Sequence, residues 1–550
     1  MISRLVYFLL SLMALPLRLP LWLLRRRVPS GAWVHVTIDG RVGEVPAVSL
    51  MALLRQRPVV ALHALRRLAR RVARDGRVKG IVVTLRGLGG GMATATALRD
   101  VLAKVRESGK EVVVHLPLGA GSKETFVATA ANRVYVGPRA TLAPLGFASS
   151  TRYWQKALAK FGVSARIFSR GTYKSAGETL VRDTMSDPQR EQLGAVLDQL
   201  WEALVHGIAS GRGVSREKAI AIVDGAPYRA QAAVEAGLVD GAAYEDELPA
   251  LLGSRERPAP FVHASRYMRG ADFPLPRPTP PGVVGVIHVH GPIMSRAQAA
   301  NGVAADEPII NAIRAARVAP VVRAVVLHVD SPGGSALASD RIHHEIVQLA
   351  AQKPVVACFG DVAASGGYYV GVAAHHIVAQ PSTITGSIGV VSARLGAEEL
   401  LGRVGVATET LKRGARAGLL DPTRPLSDDE ASALDQEIGG VYDTFVDVVA
   451  EGRKRPRGEV LAVAEGRVWT GVEAHARGLV DELGGFDAAL RAACERPGRG
   501  ELEPMAIRPM RFRLPPLPPP ARGAGAFFAD LLRERVLTLS EIGLRLGEID

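Results

Sequence analysis

Ser365 stands in the string Gly360-Asp361-Val362-Ala363-Ala364-Ser365-Gly366-Gly367-Tyr368-Tyr369, after a strand-like run and at the start of a helical one. Its neighbours have tiny or absent side chains, so a peptide backbone can approach the Oγ, and the Gly366 N–H lies beside the carbonyl that the hydroxyl would attack. A plain serine N-cap fits the same residues. A second turn, Asp330-Ser331-Pro332-Gly333-Gly334, also closes a Val/Leu-rich strand and opens a helix. Peptide N–H groups at such a junction point outward together and can hold an anion or a developing oxyanion. An ordinary tight turn is the alternative there.

A serine hydroxyl is a poor nucleophile until something takes its proton. Histidine is the usual partner, and the chain has 13. His375-His376, however, fall about three turns along the expected helix, badly placed to reach back to Ser365. A Gly-x-Ser-x-Gly elbow is absent. Lysine can serve if burial lowers its pKa from about 10.4 toward neutrality. These residues alone do not select which lysine. The two cysteines are too few for a disulfide framework, and Cys358, inside the apolar run Pro354–Phe359, reads as a buried thiol.

The elements that must carry these turns occur twice. Sliding the chain by 243 positions superposes 78–174 on 321–417 without a gap, with 23 of the 97 positions identical. The turn glycines coincide, among them Gly90 with Gly333, Gly91 with Gly334, Gly146 with Gly389 and Gly171 with Gly414. Farther along, Gly237-Leu238-Val239-Asp240 matches Gly478-Leu479-Val480-Asp481. Two copies of one domain follow. In each, apolar strands (Gly80–Leu85, Arg323–Val329, Pro354–Phe359) alternate with helical stretches (Ala93–Glu107, Ala336–Ala351), the pattern of βα crossovers on largely parallel sheets. The expected division is an N-terminal segment 1–30, a first α/β repeat 31–272, a Pro-rich linker 273–281, a second repeat 282–505, and a tail 506–550 with a Pro-rich spacer and an amphipathic helix, Phe527–Leu546.

With 550 residues and 47% apolar composition, both repeats can bury a full core. The +14 formal charge reads as an Arg-rich surface. No zinc-finger spacing, RNA-binding aromatic signature or long basic block supports nucleic-acid binding. Leu5–Leu24 is apolar apart from Ser11 and Arg18 and just reaches the length of a membrane span, although Pro16 and Pro20 interrupt it. Arg25-Arg26-Arg27 follow it, so charge counting puts the body on the cytoplasmic side. The basic stretch Arg66–Arg77 is either an ordinary solvated helix face or a surface lying on anionic lipid.

Six strings then make a resemblance specific: Val329–Ser335 (VDSPGGS), Ala364–Tyr369 (ASGGYY), Pro381–Gly389 (PSTITGSIG), Gly171–Lys174 (GTYK), Arg467–Gly471 (RVWTG) and Gly478–Gly485 (GLVDELGG). The chain resembles the long, duplicated signal peptide peptidases A of peptidase family S49, membrane-associated serine–lysine peptidases with a ClpP/crotonase-like fold. The resemblance implies Ser365 as nucleophile and Lys174 as general base. It implies Gly333 or Gly334 with the Gly366 N–H as oxyanion hole, and Ser387 as the residue that orients the lysine. It further implies hydrophobic peptide substrates such as signal-peptide remnants, no cofactor or metal, and a homo-oligomer, expected here as a tetramer. By family habit the catalytic body lies outside the cytoplasm, anchored to the inner membrane, so charge flanks and resemblance point to opposite sides.

The internal alignment agrees with a site shared between copies. Lys174 faces Ala417, Ser365 faces Ser122, Ser387 faces Pro144, and the Gly366-Gly367 pair faces Lys123-Glu124. Each copy is incomplete, and one contribution from each makes a full set. Two rivals remain: an inactive peptide- or membrane-binding scaffold, which turnover would exclude, and a crotonase-like acyl-coenzyme A enzyme, for which no nucleotide site is visible.

Overall fold

Val-rich runs buried on both faces become the centres of two sheets. Val78–Gly89 is buried at eight of its twelve residues, and Val322–Ser331 at eight of ten. The computed structural model describes residues 12–13, 28–44, 60–269, 282–295, 302–495, 503–506 and 537–539. In the first sheet the order is Phe261–His263, Ala32–Gly43, Val78–Gly89, Glu111–Leu116, Arg133–Val136, Gly241–Ala242, with every neighbour parallel. The second repeats that order with Glu503–Ala506, Val283–His290, Val322–Ser331, Val355–Ala364, His376–Ala379 and Glu482–Leu483, again parallel throughout. It adds Ile384–Gly386 beside Val355–Ala364 and, antiparallel to that, Val468–Thr470. The duplication is therefore structural: two α/β repeats with largely parallel sheets.

Helices Met92–Glu107 and Ala336–Ala350 cross over as expected. Each copy also carries a 26-residue helix, Asp187–Arg212 and Asp428–Arg453, begun by a serine N-cap whose Oγ accepts a backbone N–H, from Gln189 and Glu430 respectively.

The copies are fused by backbone and by core. Ser164–Arg170 of the first pairs antiparallel with Val390–Gly396 of the second over seven residues, in a third sheet. The hydrophobic core of the first copy takes in Val362, Ala364, Ile384 and Val468 of the second. This seam runs directly into the residues of chemical interest.

Two expectations need correction. Of the expected helix Phe527–Leu546, the described residues are Leu537–Leu539, and they form a strand, antiparallel to Gly333–Ser335 and touching Val391. Open strand edges on both sides offer backbone partners that a free amphipathic turn lacks. Within Arg66–Arg77, Arg66 is buried and ion-paired with Glu44, so the stretch is not a single solvated or lipid-facing surface. No helix among the described residues is long and apolar enough to cross a membrane. Apart from residues 12 and 13, Leu5–Leu24 lies outside them, as does the linker 273–281.

Candidate active site

Ser365 follows directly on the strand Val355–Ala364 and precedes the short helix Gly366–Gly371. Its backbone is held at φ 55° and ψ −118°, a left-handed conformation costing a non-glycine residue about 1–3 kcal/mol. Two bonds hold it there: its N–H donates to the Gly386 carbonyl at 2.8 Å, and its own carbonyl accepts the Tyr369 N–H at 2.8 Å. The side chain makes no cap hydrogen bond, so the hydroxyl is not spent as an N-cap. It meets the Lys174 Nζ instead, at 2.7 Å.

Lys174 arrives from the other copy. The strand Ser164–Arg170 is followed by Gly171 (φ 101°), and the next two residues, Thr172 and Tyr173, are clamped by Glu465. The Glu465 carboxylate accepts the Thr172 N–H and Oγ1–H, both at 2.9 Å, and its carbonyl accepts the Tyr173 N–H at 2.8 Å. Gln192 donates to the Tyr173 carbonyl and Ser175 Oγ at 3.0 Å and accepts the Val468 N–H at 3.2 Å, closing the seam from behind. The Nζ also lies 3.0 Å from both the carbonyl oxygen and the Oγ of Ser387. Ser387 (φ 52°) and Glu465 (φ 47°) are strained like Ser365. Among the described residues just one other non-glycine, Lys454, has positive φ. Strain is thus concentrated around the lysine.

Lys174, Ser365 and Ser387 are all buried. Loss of water holds the Lys174 ammonium well below its ordinary value of 10.5, and desolvation is the sole cause. The sign for stability follows. Between that depressed pKa and 10.5 the unfolded lysine carries a proton that the folded one lacks, so the contribution to stability rises with pH across that window and is lost as pH falls through it. Urea unfolding of wild type should therefore gain free energy with rising pH relative to Lys174→Met. Equal pH dependence for the two proteins would mean that Lys174 stays protonated and hydrated.

Gly333 (φ 99°) and Gly334 (φ 153°) lie in a short buried strand packed against the helix Gly366–Gly371, and a Cβ on Gly334 would overlap the Ile293 carbonyl. The Gly333 N–H makes a long bond, 3.2 Å, to the Ser331 Oγ. Gly366, next to Ser365, is buried as the first residue of its helix. His375 and His376 are committed elsewhere, because the helix after Ser365 ends at Gly371. The Val355 N–H donates to the His375 Nδ1 at 3.1 Å, and His376 faces Glu482 at 3.2 Å.

The matching place in the first copy is filled by side chains of both copies, Ser122 and Glu124 from the first and Asp361 from the second. Ser122 begins the helix Ser122–Ala128, and its Oγ exchanges hydrogen bonds with the Gly146 carbonyl (3.0 Å) and N–H (3.1 Å). The Glu124 carboxylate takes the N–H groups of Leu88 and Gly121 at 3.0 and 3.1 Å, and Asp361 takes that of Gly91 at 2.6 Å. Ser122→Ala is accordingly expected to leave peptide hydrolysis nearly unchanged in a steady-state assay. The Glu465 clamp, Gln192 and the Ser387 carbonyl were not apparent from sequence, since each acts largely through backbone groups.

The profile described as "Peptidase family S49" matches residues 104–254 and 347–498. The chain is similar to "Serine protease SPPA, chloroplastic" of Arabidopsis thaliana, 33% identical over 439 residues, which are 78% of this chain and 64% of that protein. It is also similar to "Protease 4" of Salmonella typhi, 34% identical over 437 residues, which are 77% of this chain and 70% of that one. The Haemophilus influenzae "Protease 4" is 27% identical over 434 residues. Among solved structures, a mutant ClpP1 of Listeria monocytogenes aligns over 37% of this chain and 93% of that one, at 15% identity and a TM-score of 0.25.

Proposed function

The chain belongs to peptidase family S49, and on that premise we propose that it is a serine endopeptidase in which Lys174 of the first repeat activates Ser365 of the second. The observation that carries this reading is the 2.7 Å contact between a buried lysine nitrogen and a buried serine Oγ that makes no cap bond. A desolvated, neutral amine can take the serine proton as the Oγ attacks a scissile carbonyl. Gly333 or Gly334 with the Gly366 N–H would receive the oxyanion. The protonated Lys174 then gives its proton to the leaving amine, and water activated by the same nitrogen hydrolyses the acyl-enzyme. Ser387 orients Lys174 through two contacts, from its carbonyl and its hydroxyl.

Peptides as substrates are supported by the strand Leu537–Leu539, which lies antiparallel to Gly333–Ser335 and touches Val391 through its backbone. An extended peptide can add to those same edges without regard to side chains. Hydrophobic peptides, signal-peptide remnants among them, are the proposed class, and the Leu5–Leu24 segment is proposed to keep the enzyme at the membrane from which they come.

The test is a pH series on a hydrophobic peptide. Because the working form of Lys174 is the neutral amine, kcat/KM should climb with pH through the depressed lysine pKa and then level off. Ser387→Ala should lose activity only in part, since one of its two contacts to Lys174 is a backbone carbonyl. A fluorophosphonate should label Ser365 alone. A flat pH profile with labelling at another serine would sink the proposal.

A further inference from the structure

Three imidazoles meet on the second sheet, away from the Ser365–Lys174 pair. His288 and His290 are two residues apart on Val283–His290 and so share a face, and His328 of the neighbouring strand stands opposite His288 in parallel register. His290 Nε2 lies 3.3 Å from His288 Nδ1 and 2.6 Å from His328 Nδ1. One nitrogen from each ring falls within 4.8 Å of the other two. The ring planes are inclined at 70–71° to one another, with centroids 4.8, 4.9 and 5.7 Å apart. We propose that His288, His290 and His328 form a binding site for one divalent transition-metal ion of the zinc class.

The donor set selects that class. Imidazole nitrogens suit zinc, copper and nickel, whereas magnesium and calcium take oxygen. Nitrogens about 2.0–2.1 Å from a tetrahedral zinc sit roughly 3.3 Å from one another, so the His290–His328 pair must open by roughly 0.7 Å and the His288–His328 pair, up to 4.8 Å apart, must close by as much as roughly 1.5 Å. Three ligands leave a fourth position for water. His290 is exposed and His288 half-buried, which gives an ion a way in, while His328 is buried. Ligation needs neutral rings. Burial, then the neighbouring His290, His288 and Arg66, hold His328 well below its ordinary 6.5. Arg66 does not leave the region cationic, because Glu44 pairs with it and the Asp487 carboxylate is 3.6 Å from its Nε. The edge of Phe486 packs against His328 and limits its rotation.

The experiment is a Zn²⁺ titration of the full chain, free of any histidine tag and stripped with a chelator, against a chromophoric competitor. Wild type should bind one ion per chain. His290→Ala and His288→Ala should each weaken it by at least about 100-fold, the upper range for losing even an outer-shell partner. Fluorophosphonate labelling of Ser365 should be unchanged in His290→Ala, which shows that the variant is folded. Co²⁺ in wild type should give the visible bands of a four-coordinate site, and these should vanish in His290→Ala. Equal Zn²⁺ affinity in wild type and His290→Ala, or no binding by wild type, would overturn the site.

Discussion

Ser365→Ala and Lys174→Ala each lower kcat for cleavage of a hydrophobic peptide by about 10⁴-fold or more, and the double variant is no worse than either single one. The expectation rests on the 2.7 Å contact and on the absence of a substitute. Copy two has Ala417 where copy one has Lys174, and the histidines nearest in sequence are bonded elsewhere. Lys174→Arg should fail almost as completely. A guanidinium does not release its proton at any usable pH, so it cannot act as the base. Steady-state kinetics on the four proteins decides the matter. Normal turnover in Lys174→Ala would remove the lysine from the mechanism and return attention to Ser122.

The second large effect is expected at a residue that touches no substrate. Gly466 sits at φ 72°, and a Cβ there would stand 2.7 Å from both the Cβ and the backbone nitrogen of Lys174. The backbone cannot yield as a flexible side-chain tip could, so Gly466→Ala must push Lys174 away from Ser365. A displacement near 1 Å costs on the order of 100-fold in rate. Gly458→Ala is the control: it is helical, and nothing lies within 4 Å of its Cβ position. The prediction is a roughly 100-fold drop in kcat for Gly466→Ala with Gly458→Ala unaffected. Equal activity in the two would show that the 465–466 loop does not hold the lysine.

Much of this was legible before any coordinates. The ungapped repeat corresponds to two sheets of the same strand order, and the strands and crossover helices flanking both glycine turns lie within a few residues of where periodicity put them. The lysine was different. Nothing in the residues around Ser365 points 191 positions upstream, and the GTYK string mattered only through its resemblance to a family. Glu465 and Gln192 escaped notice because they grip backbone amides and carbonyls, which every residue possesses. The tail was misread for a related reason: helical periodicity in Phe527–Leu546 says nothing of two strand edges contributed by distant parts of the chain.

The 191-residue separation of Lys174 and Ser365 also sets a clock. A ribosome adding about 5–20 residues per second makes the lysine roughly 10–40 s before the serine. On the proposed mechanism, the nascent chain throughout that interval would hold the base without its nucleophile, and Ser122 would be a hydroxyl without a base. Nor does synthesis of Ser365 end the wait, because the loop that seats the lysine ends at Gly466, another hundred residues on. Divided as proposed, the site would be unable to attack the chain itself or neighbouring nascent chains while it is being made. Fragments released by early termination would be inert, and proteolysis would begin only when both halves have been translated and have closed on one another.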